Sequence, residues 1–181
     1  KVLKGISFHV NRGEIVGLAG LKGSRRSELL RALVGDRRVT AGRVFVEGCP
    51  VRIASPADAF ALGMAYLPEE RKADGLFLKM PLRQNVSATA LADFSRLGIM
   101  NPRQEAAVAR RFVERLGIVT PSVEQLVGRL SGGNQQKVML SKWLVRQPKI
   151  LIIDEPTKGV DVGAKVEIHA QLRELAHQGV G

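Results

Sequence analysis

The sequence predicts an α/β fold whose core of strands and helices is interrupted by a helical segment. A strand-like run, Glu14–Ala19, leads through a glycine-rich loop into a helix at Ser27–Leu33. A continuous apolar run, Lys149–Ile153, has the pattern of a central parallel strand that is buried on both faces. Between about residues 76 and 145 the hydrophobic spacing is mainly helical. These three observations together predict the fold class.

The two ends of the chain also bear on its organisation. The first residues read as part of a strand, and Gly179-Val180-Gly181 stand where an α/β protein would begin its next strand. We therefore expect a single domain, 1–181, that is truncated at both ends. Its α/β core comprises residues 1–75 and 146–181, and its helical subdomain comprises about 76–145.

Short β elements are predicted in the first third of the chain. The runs Ile6–Val10 and Glu14–Ala19 are strand-like and are joined by the turn Asn11-Arg12-Gly13. A second pair, Arg43–Val46 and Pro50–Ile53, reads as a hairpin around Glu47-Gly48.

Helix signals mark the remaining elements. A helix from Pro56 to about Leu62 is predicted because Ser55 is a good N-cap and proline suits the first helical position. A short buried strand, Met64–Leu67, follows it. The later helices are predicted at Leu82–Leu91, at Pro102–Leu116 with Asn101 as its cap, from Ser131 to about Val145, and at Ala164–Ala176. The apolar face expected of the second of these consists of Ala106, Val108, Phe112, Val113 and Leu116.

Composition excludes several classes of protein. The formal net charge of +11 suits an anionic partner such as a nucleotide, nucleic acid or acidic lipid, or simply a solvated arginine-rich surface. The arginines are scattered and are not interleaved with aromatic residues, so we do not expect nucleic-acid binding. The longest apolar run is too short to span a bilayer. The single cysteine, Cys49, excludes an internal disulfide.

A candidate phosphate loop connects the strand-like run to the first helix. Such a loop points backbone N–H groups at an anion, and the helix N-terminus adds positive potential. The pattern to compare is G-x-x-x-x-G-K-[ST]. The chain offers, in order, Gly20, Leu21, Lys22, Gly23, Ser24, Arg25, Arg26 and Ser27. A glycine-rich turn that binds no nucleotide is the alternative interpretation.

Two positions of this loop depart from the pattern. Arg26 replaces the lysine, keeping the cation but presenting a planar fork. Arg25 replaces the second glycine, and a side chain held at the positive φ that often occurs there costs about 1–2 kcal/mol. Ser27 matches the pattern and would place its hydroxyl on Mg²⁺.

Two carboxylates, Asp154 and Glu155, stand at the carboxyl end of the apolar strand. That edge is where ligands bind in open α/β sheets. Asp154 would hold Mg²⁺, and Glu155 would orient or deprotonate an attacking water. A strand that ends in a solvated acidic pair is the alternative.

A second anion site is predicted where the helix after Leu130 begins. Ser131 and the N–H groups of Gly132 and Gly133 open that helix. A serine followed by two glycines is also a plain N-cap, so the segment alone leaves both interpretations open.

Taken in order, these motifs resemble those of ABC ATPases. Leu130–Gln136 is similar to the signature motif of that family, and its spacing to Asp154-Glu155-Pro156-Thr157 matches as well. The chain looks closest to the second half of the tandem ATPase subunits of ribose/galactose/xylose-type importers, on the stretches Gly13–Leu21, Tyr66–Leu76 and Pro156–Lys165. The resemblance implies a P-loop NTPase (ABC ATPase) core with N-terminal antiparallel β elements and a helical subdomain, and ATP with Mg²⁺ as ligands.

The resemblance also assigns roles to single residues. Arg26 is typical of the second domain of such importers, whereas Arg25 departs from the family pattern. Glu69 falls at the Q-loop position, near Mg²⁺ and the membrane partner, and Asp161 matches the D-loop aspartate. Gln135 belongs to the signature. His169 is interpreted as a surface or packing residue, and Trp143 as part of the core of the signature helix.

The family mechanism implies partners for this chain. The signature of one domain closes over the phosphates bound by another, so Ser131 and Gly133 would act in trans on a second ABC ATPase domain, expected upstream in the same polypeptide. Membrane permease subunits, contacted by residues 69–90, and indirectly a periplasmic sugar-binding protein would complete an importer at the cytoplasmic face of the membrane. A regulatory half that hydrolyses little, and a soluble ABC ATPase acting on ribosomes or DNA, are the alternatives.

Overall fold

The computed structural model describes residues 3–21 and 23–181, which divide into two compact units. Unit 1 contains the described residues up to Tyr66 together with Pro148–Asp154 and Arg173–Gly181. Unit 2 contains Leu67–Gln147 and Glu155–Leu172. Within the described residues, no helix combines the length and the apolar character needed to cross a membrane.

The elements of unit 1 follow the predicted order. They are helix α1 (Arg26–Leu33), strands β1 (Val44–Val46) and β2 (Cys49–Val51), helix α2 (Pro56–Ala61), strand β3 (Met64–Leu67, whose last residue belongs to unit 2) and strand β6 (Ile150–Ile153). β1 and β2 pair in antiparallel register around Glu47 and Gly48, which both have positive φ, as the two-residue turn of a tight hairpin requires. The predicted hairpin and the predicted strand Met64–Leu67 are confirmed.

Helix α2 begins as the sequence predicts. The Ser55 hydroxyl accepts a hydrogen bond from the N–H of Asp58 at 3.3 Å, and the Asp58 carboxylate accepts one from the N–H of Ser55 at 2.9 Å. This reciprocal pair satisfies two backbone donors that the first turn would otherwise leave open. The pKa of Asp58 is lowered because its carboxylate accepts hydrogen bonds from the Ala54 N–H, which has the largest effect, and from the side chain and the N–H of Ser55.

The strands predicted at Ile6–Val10 and Glu14–Ala19 are not formed. The connecting turn exists, because the Glu14 N–H donates to the Asn11 carbonyl at 3.0 Å, but no strand is assigned on either side of it in the described residues. Most apolar side chains of the two runs stay exposed, with Ile15 at 60%, although Leu18 is half-buried. The strand-like composition of these runs therefore gave the wrong result here, since a strand also needs a hydrogen-bonded neighbour.

β6 is less buried than its apolar run predicts. β3 is its neighbour in a two-stranded sheet, and only Ile152 of its four residues is buried. The Leu151 N–H donates to the Gly181 carbonyl at 2.8 Å. The expectation of burial on both faces is thus wrong. Ile152 instead joins a small cluster made with Val34, Val46, Ala59 and Met64.

Unit 2 is mainly helical. Its elements are a π-helical turn (Arg71–Gly75), α3 (Leu82–Ser87), a 3₁₀ turn (Leu91–Phe94), β4 (Ser95–Arg96), β5 (Ile99–Met100), α4 (Pro102–Leu116), a 3₁₀ turn (Val127–Arg129), α5 (Gly132–Leu144) and the greater part of α6 (Val162–His177). α3 ends four residues before the predicted Leu91, where the Thr89 hydroxyl donates to the Lys142 carbonyl. The π-helical turn and the β4–β5 hairpin were not predicted.

α4 has the predicted bounds and the predicted cap. The Asn101 side chain accepts from the Gln104 N–H at 3.2 Å, and Gly117 ends the helix in the left-handed conformation. Phe112 and Leu116 are buried as expected, but Ala106, Val108 and Val113 are only half-buried. The buried face also includes Ala109 and Glu105, which the apolar pattern missed.

Glu105 is buried because two polar partners meet its carboxylate. Arg83 donates at 2.6 Å and the Ser87 hydroxyl at 2.5 Å, both from α3. A buried charge that is paired and hydrogen-bonded in this way avoids most of the desolvation penalty. The pair thus fixes α4 against α3.

Candidate functional site

The candidate phosphate loop lies in unit 1, with Lys22 outside the described residues. The Ser24 N–H donates to the Leu21 carbonyl at 3.0 Å, and Gly23 has φ of 88°. A Cβ added at Gly20 would lie 2.5 Å from the Ser24 hydroxyl. A side chain at Gly20 would therefore require Ser24 to move. The loop is therefore closed by its own residues.

Arg25 has the strained backbone that the sequence predicts. It is the residue before α1, with φ 66° and ψ 32°, and it provides no side-chain cap to the helix. Arg26 is the first residue of the helix, and Ser27 the second. No side chain of Arg25 caps the first turn of α1. The backbone N–H groups of that turn are thus not capped by this side chain, which suits the binding of an anion at the helix N-terminus.

The carboxylate predicted to hold Mg²⁺ is buried at the end of β6, also in unit 1. Asp154 is 5% exposed and accepts a hydrogen bond from the Tyr66 hydroxyl at 3.4 Å. Burial raises the pKa of Tyr66, and the Asp154 charge adds to the rise while Arg31 opposes it. A buried carboxylate with one long hydrogen bond from a phenol is a suitable ligand for a hard cation.

The described residues contain no group of three or more His, Cys, Asp or Glu side chains that could enclose a metal ion. Mg²⁺ usually takes one or two protein ligands and completes its shell with water and phosphate oxygens. Ser27 and Asp154 are the ligands that the sequence predicts for it, and that role stays a prediction.

Glu155 follows Asp154 at a sharp turn. Its φ is 52°, its side chain is exposed, and its carbonyl accepts from the Lys158 N–H at 3.1 Å. A left-handed glutamate is uncommon and costs of the order of 1 kcal/mol, so the surrounding structure must favour it. The turn thus places an exposed glutamate directly after Asp154.

The signature segment lies in unit 2 at the start of α5. The exposed Ser131 is the N-cap, and its hydroxyl accepts from the backbone N–H of Asn134 at 3.4 Å and from the Asn134 amide at 3.0 Å. Asn134 in turn accepts from the Val119 N–H at 2.9 Å. These bonds confirm the cap predicted at Ser131.

The two signature glycines pack closely against the segment that follows Glu155. A Cβ at Gly132 would lie 2.8 Å from the Gly159 carbonyl, and one at Gly133 would lie 2.7 Å from the Cβ of Ala164. Asp161 caps α6, because its carboxylate accepts from the Ala164 N–H at 2.9 Å. Unit 2 thus brings the signature and the D-loop aspartate side by side.

Gln135 is the most buried of the predicted signature residues with side chains. Its amide donates to the carbonyls of Val127 and Leu130 at 3.2 and 3.1 Å, and its oxygen accepts from the Arg71 guanidinium at 3.4 Å. All of these partners lie within unit 2, so the side chain supports the segment that leads into Ser131.

Glu69, at the predicted Q-loop position, is held by a lysine of unit 2. Lys158 donates to Glu69 at 2.7 Å and also to the carboxylate of Glu70. The hydrogen bonds to Glu69 and Glu70 raise the pKa of Lys158, and the same lysine lowers the pKa of Glu70. One lysine thus binds two neighbouring carboxylates, and the role of Glu69 near a metal stays a prediction.

Arg71 was not singled out by the sequence. It stands in the π-helical turn and donates to the carbonyls of Lys158 and Gly159 at 2.5 and 3.0 Å, besides its bond to Gln135. The only sequence signal was its position in the Tyr66–Leu76 stretch, because no chemical motif requires an arginine there.

The sequence analysis also interpreted two residues outside the motifs, His169 and Trp143. His169 is exposed on α6, in agreement with a surface role. Trp143 lies on α5 and is half-buried, with Lys142 placed 5.9 Å from its ring centre.

A loop of this geometry before α1, a buried aspartate ending β6 and a capped glycine pair opening α5 define an ATP-binding cassette. The family model described as ABC transporter matches residues 3–158. The chain therefore belongs to the ABC transporter family and is an ATPase domain of it.

The relatives indicate which members of the ABC transporter family this chain resembles. The ribose import ATP-binding protein RbsA 1 of Rhizobium meliloti is 46% identical over 175 residues, which are 97% of this chain and 35% of the relative. The ribose import ATP-binding protein RbsA of Chromobacterium violaceum is 45% identical over 178 residues, which are 98% of this chain and 36% of the relative. The chain thus spans about a third of the length of the curated relatives it matches.

Solved structures agree on the fold. A nucleotide-free ATP-binding cassette from an ABC transporter superposes with a TM-score of 0.84 at 22% identity, covering 99% of this chain and 72% of that one. A dimeric cassette in a post-hydrolysis state, bound to ADP and Pi, gives a TM-score of 0.78 at 22% identity, covering 99% of this chain and 77% of that one. The predicted fold class is confirmed.

Proposed function

We propose that this chain is one of two ATP-binding cassettes in an ATPase that energises the import of a carbohydrate across a membrane. The observation that carries the proposal is the meeting, within unit 2, of the signature start at Gly132 and Gly133 with Gly159 and Asp161. The names of the relatives, which are ribose import ATP-binding proteins, support the choice of a sugar as cargo.

In the domain's own nucleotide site, the phosphate loop from Gly20 to Ser27 binds the phosphates of ATP. Arg26 would provide the cation, while the Ser27 hydroxyl and the Asp154 carboxylate would hold Mg²⁺, which would neutralise phosphate charge. Glu155 would orient or deprotonate the attacking water, and Glu69 would take the Q-loop position near the metal. The buried Asp154 and the left-handed turn at Glu155 support these roles.

The signature serves a second nucleotide. Ser131 and the N–H groups of Gly132 and Gly133 close over phosphates that the partner cassette binds, with Asp161 and Gln135 supporting them. Backbone N–H groups at a helix N-terminus suit this task, because they offer donors and positive potential without a mobile side chain. Each nucleotide is then shared between two cassettes.

The proposed partners follow from this arrangement. A second cassette precedes this one in the same polypeptide, which agrees with the one-third coverage of the relatives. Membrane permease subunits dock on residues 69–90 at the cytoplasmic face of the membrane. A periplasmic sugar-binding protein delivers the cargo to them.

The test is the ATP hydrolysis rate of the full-length protein with Ser131→Ala. We expect at least about a tenfold loss, because a positioned donor to the transferring phosphates disappears. Ser122→Ala is the matched control, since its hydroxyl likewise accepts a local backbone N–H, from Glu124 at 3.2 Å. Equal rates for the Ser131 variant and the wild type would contradict the proposal.

The second candidate, a regulatory half that hydrolyses little, is favoured by one observation. Arg25 and Arg26 place two bulky cations where the pattern has glycine and lysine, the first of them in a strained conformation. Glu155→Gln decides between the candidates in the same assay. A large loss of rate shows that this site hydrolyses ATP, whereas an unchanged rate, with Glu114→Gln as control, shows that it is silent.

A further inference from the structure

We propose that Arg71 is a positioning residue for the ATPase reaction, and that it fixes the signature surface this domain offers to a partner's nucleotide. The inference rests on the proposed function, because it names a further residue of the same machinery. Arg71 joins three segments of unit 2, which are its own π-helical turn, the loop at Lys158-Gly159 and the start of α5.

All three nitrogen atoms of the Arg71 guanidinium donate a hydrogen bond. Its Nη1 and Nη2 atoms donate to the successive carbonyls of Lys158 and Gly159, at 2.5 and 3.0 Å, and its Nε donates to the Gln135 amide oxygen at 3.4 Å. Arginine can serve three acceptors at once because its donors lie in a rigid plane. A lysine would provide a single point cation and could not reproduce this pattern.

The glycines beside Arg71 give it room. A Cβ at Gly132 would lie 2.9 Å from Nη2, and one at Gly159 would lie 3.4 Å from both Nη atoms. Gly159 also has φ of 65°, which disfavours any side chain. A side chain at Gly132 would thus meet the Gly159 carbonyl at 2.8 Å and would also displace the guanidinium.

Arg71 also influences the residues that lead into the signature. The Gln135 amide that it contacts donates to the carbonyls of Val127 and Leu130, and Leu130 directly precedes Ser131. A second connection joins the same two segments, because the Lys158 ammonium binds Glu69 and Glu70 beside Arg71. Those ion pairs are exposed and stabilise little by themselves, so the guanidinium is the main link.

The chemical consequence follows from preorganisation. Donors that stabilise a transferring phosphoryl group must already be in place, and an error of about 1 Å can cost of the order of a hundredfold in rate. Without Arg71, the start of α5 and the loop at Gly159 lose the hydrogen bonds through which one guanidinium joins them. The signature then meets the partner's nucleotide less accurately.

The experiment compares Arg71→Met, Arg71→Lys and wild type in the full-length protein. Lys72→Met is the matched control, because it removes an exposed cation from the same turn. Three quantities are measured: kcat for ATP hydrolysis at saturating ATP, the Kd of a fluorescent ATP analogue at this domain's own site, and amide hydrogen exchange over 128–136.

We expect both Arg71 variants to lower kcat by at least about tenfold while Kd changes by less than about twofold. Amide exchange over 128–136 rises in both, and the Lys72 variant resembles the wild type throughout. A kcat within twofold of wild type, or a parallel loss of kcat and nucleotide affinity, overturns the inference.

If the proposed function is wrong, the experiment gives a result that differs from the one expected for a wrong role of Arg71. A wild-type protein without ATP hydrolysis contradicts that function, yet the exchange measurement still tests the link. Unchanged exchange over 128–136 in Arg71→Met would then overturn the positioning role by itself.

Discussion

At the scale of single residues, Arg25 shows how a motif can be kept at a cost. It adopts φ 66° before α1, in a position where the common phosphate-loop pattern has glycine. The backbone thus keeps the conformation that a close approach to phosphate needs, although the side chain makes it less favourable. Because the strain lies in the backbone of Arg25, a substitution at this one position can test it.

We predict that Arg25→Gly raises the free energy of unfolding by about 0.5–1 kcal/mol, because glycine adopts the left-handed conformation without strain. Denaturant unfolding measures the change. Arg38→Gly is the control, an exposed arginine outside the left-handed region. It should lose stability instead, since the glycine only adds entropy to the unfolded chain. A loss of stability in both variants would contradict the account.

Residue identity alone predicted some sites and missed others. Ser131, Ser55 and Asn101 were found because a capping residue acts on backbone within its own helix. Arg71 and Glu105 were missed because their partners lie far along the chain, at Lys158-Gly159 and at Arg83. No local pattern encodes such pairings.

At the scale of elements, the C-terminal end of α4 depends on two other helices. The Lys137 ammonium on α5 donates to the Gly117 carbonyl at 2.8 Å, and the Gln171 amide on α6 donates to the Leu116 carbonyl at 2.7 Å. The last carbonyls of a helix have no partner within it, so these side chains satisfy groups that would otherwise be left open. Lys137 also pairs with Glu167 of α6 at 2.5 Å.

We predict that Lys137→Met destabilises the protein by about 1–3 kcal/mol, because it leaves a carbonyl without its donor. Glu167→Gln should cost only about 0–1 kcal/mol, since it weakens an ion pair whose acidic partner is exposed. Chemical denaturation of the two variants separates the contributions. Equal losses would show that the ion pair, rather than the helix end, carries the stabilisation.

At the scale of the whole molecule, the stability should depend on pH through a lysine buried in unit 2. Lys142 is 9% exposed, donates to the Gly75 carbonyl at 3.0 Å and lies 4.9 Å from the centre of the Phe77 ring. Burial lowers the pKa of Lys142 below its usual 10.5. The unfolded chain therefore binds more protons than the folded one between the lowered pKa and 10.5.

In that window the Lys142 contribution to the unfolding free energy rises with pH and is constant above it. We predict that the stability of wild type relative to Lys142→Met increases from neutral pH towards pH 10.5. Denaturant unfolding of both proteins at several pH values in this range measures the difference between their free energies of unfolding. The effects of groups that titrate in both proteins, such as Tyr66, cancel in that difference. A relative stability that stays flat or falls would contradict the prediction.

The sequence by itself determined the elements whose signals are local and the motifs whose chemistry lies within a few residues. The hairpin around Glu47-Gly48, the bounds of α4 and the cap at Ser131 are examples. The order of the phosphate loop, the acidic pair and the signature was enough to indicate the family, because each motif carries its own backbone chemistry.

Only the tertiary structure decided what depends on distant partners. It left Ile6–Val10 without a strand, limited burial in β6 to Ile152, and joined Arg71 to the loop at Lys158-Gly159. The physical reason is the same in each case. A strand needs a neighbour, a buried face needs a cover and a guanidinium needs acceptors, and the chain supplies these partners only once it has folded.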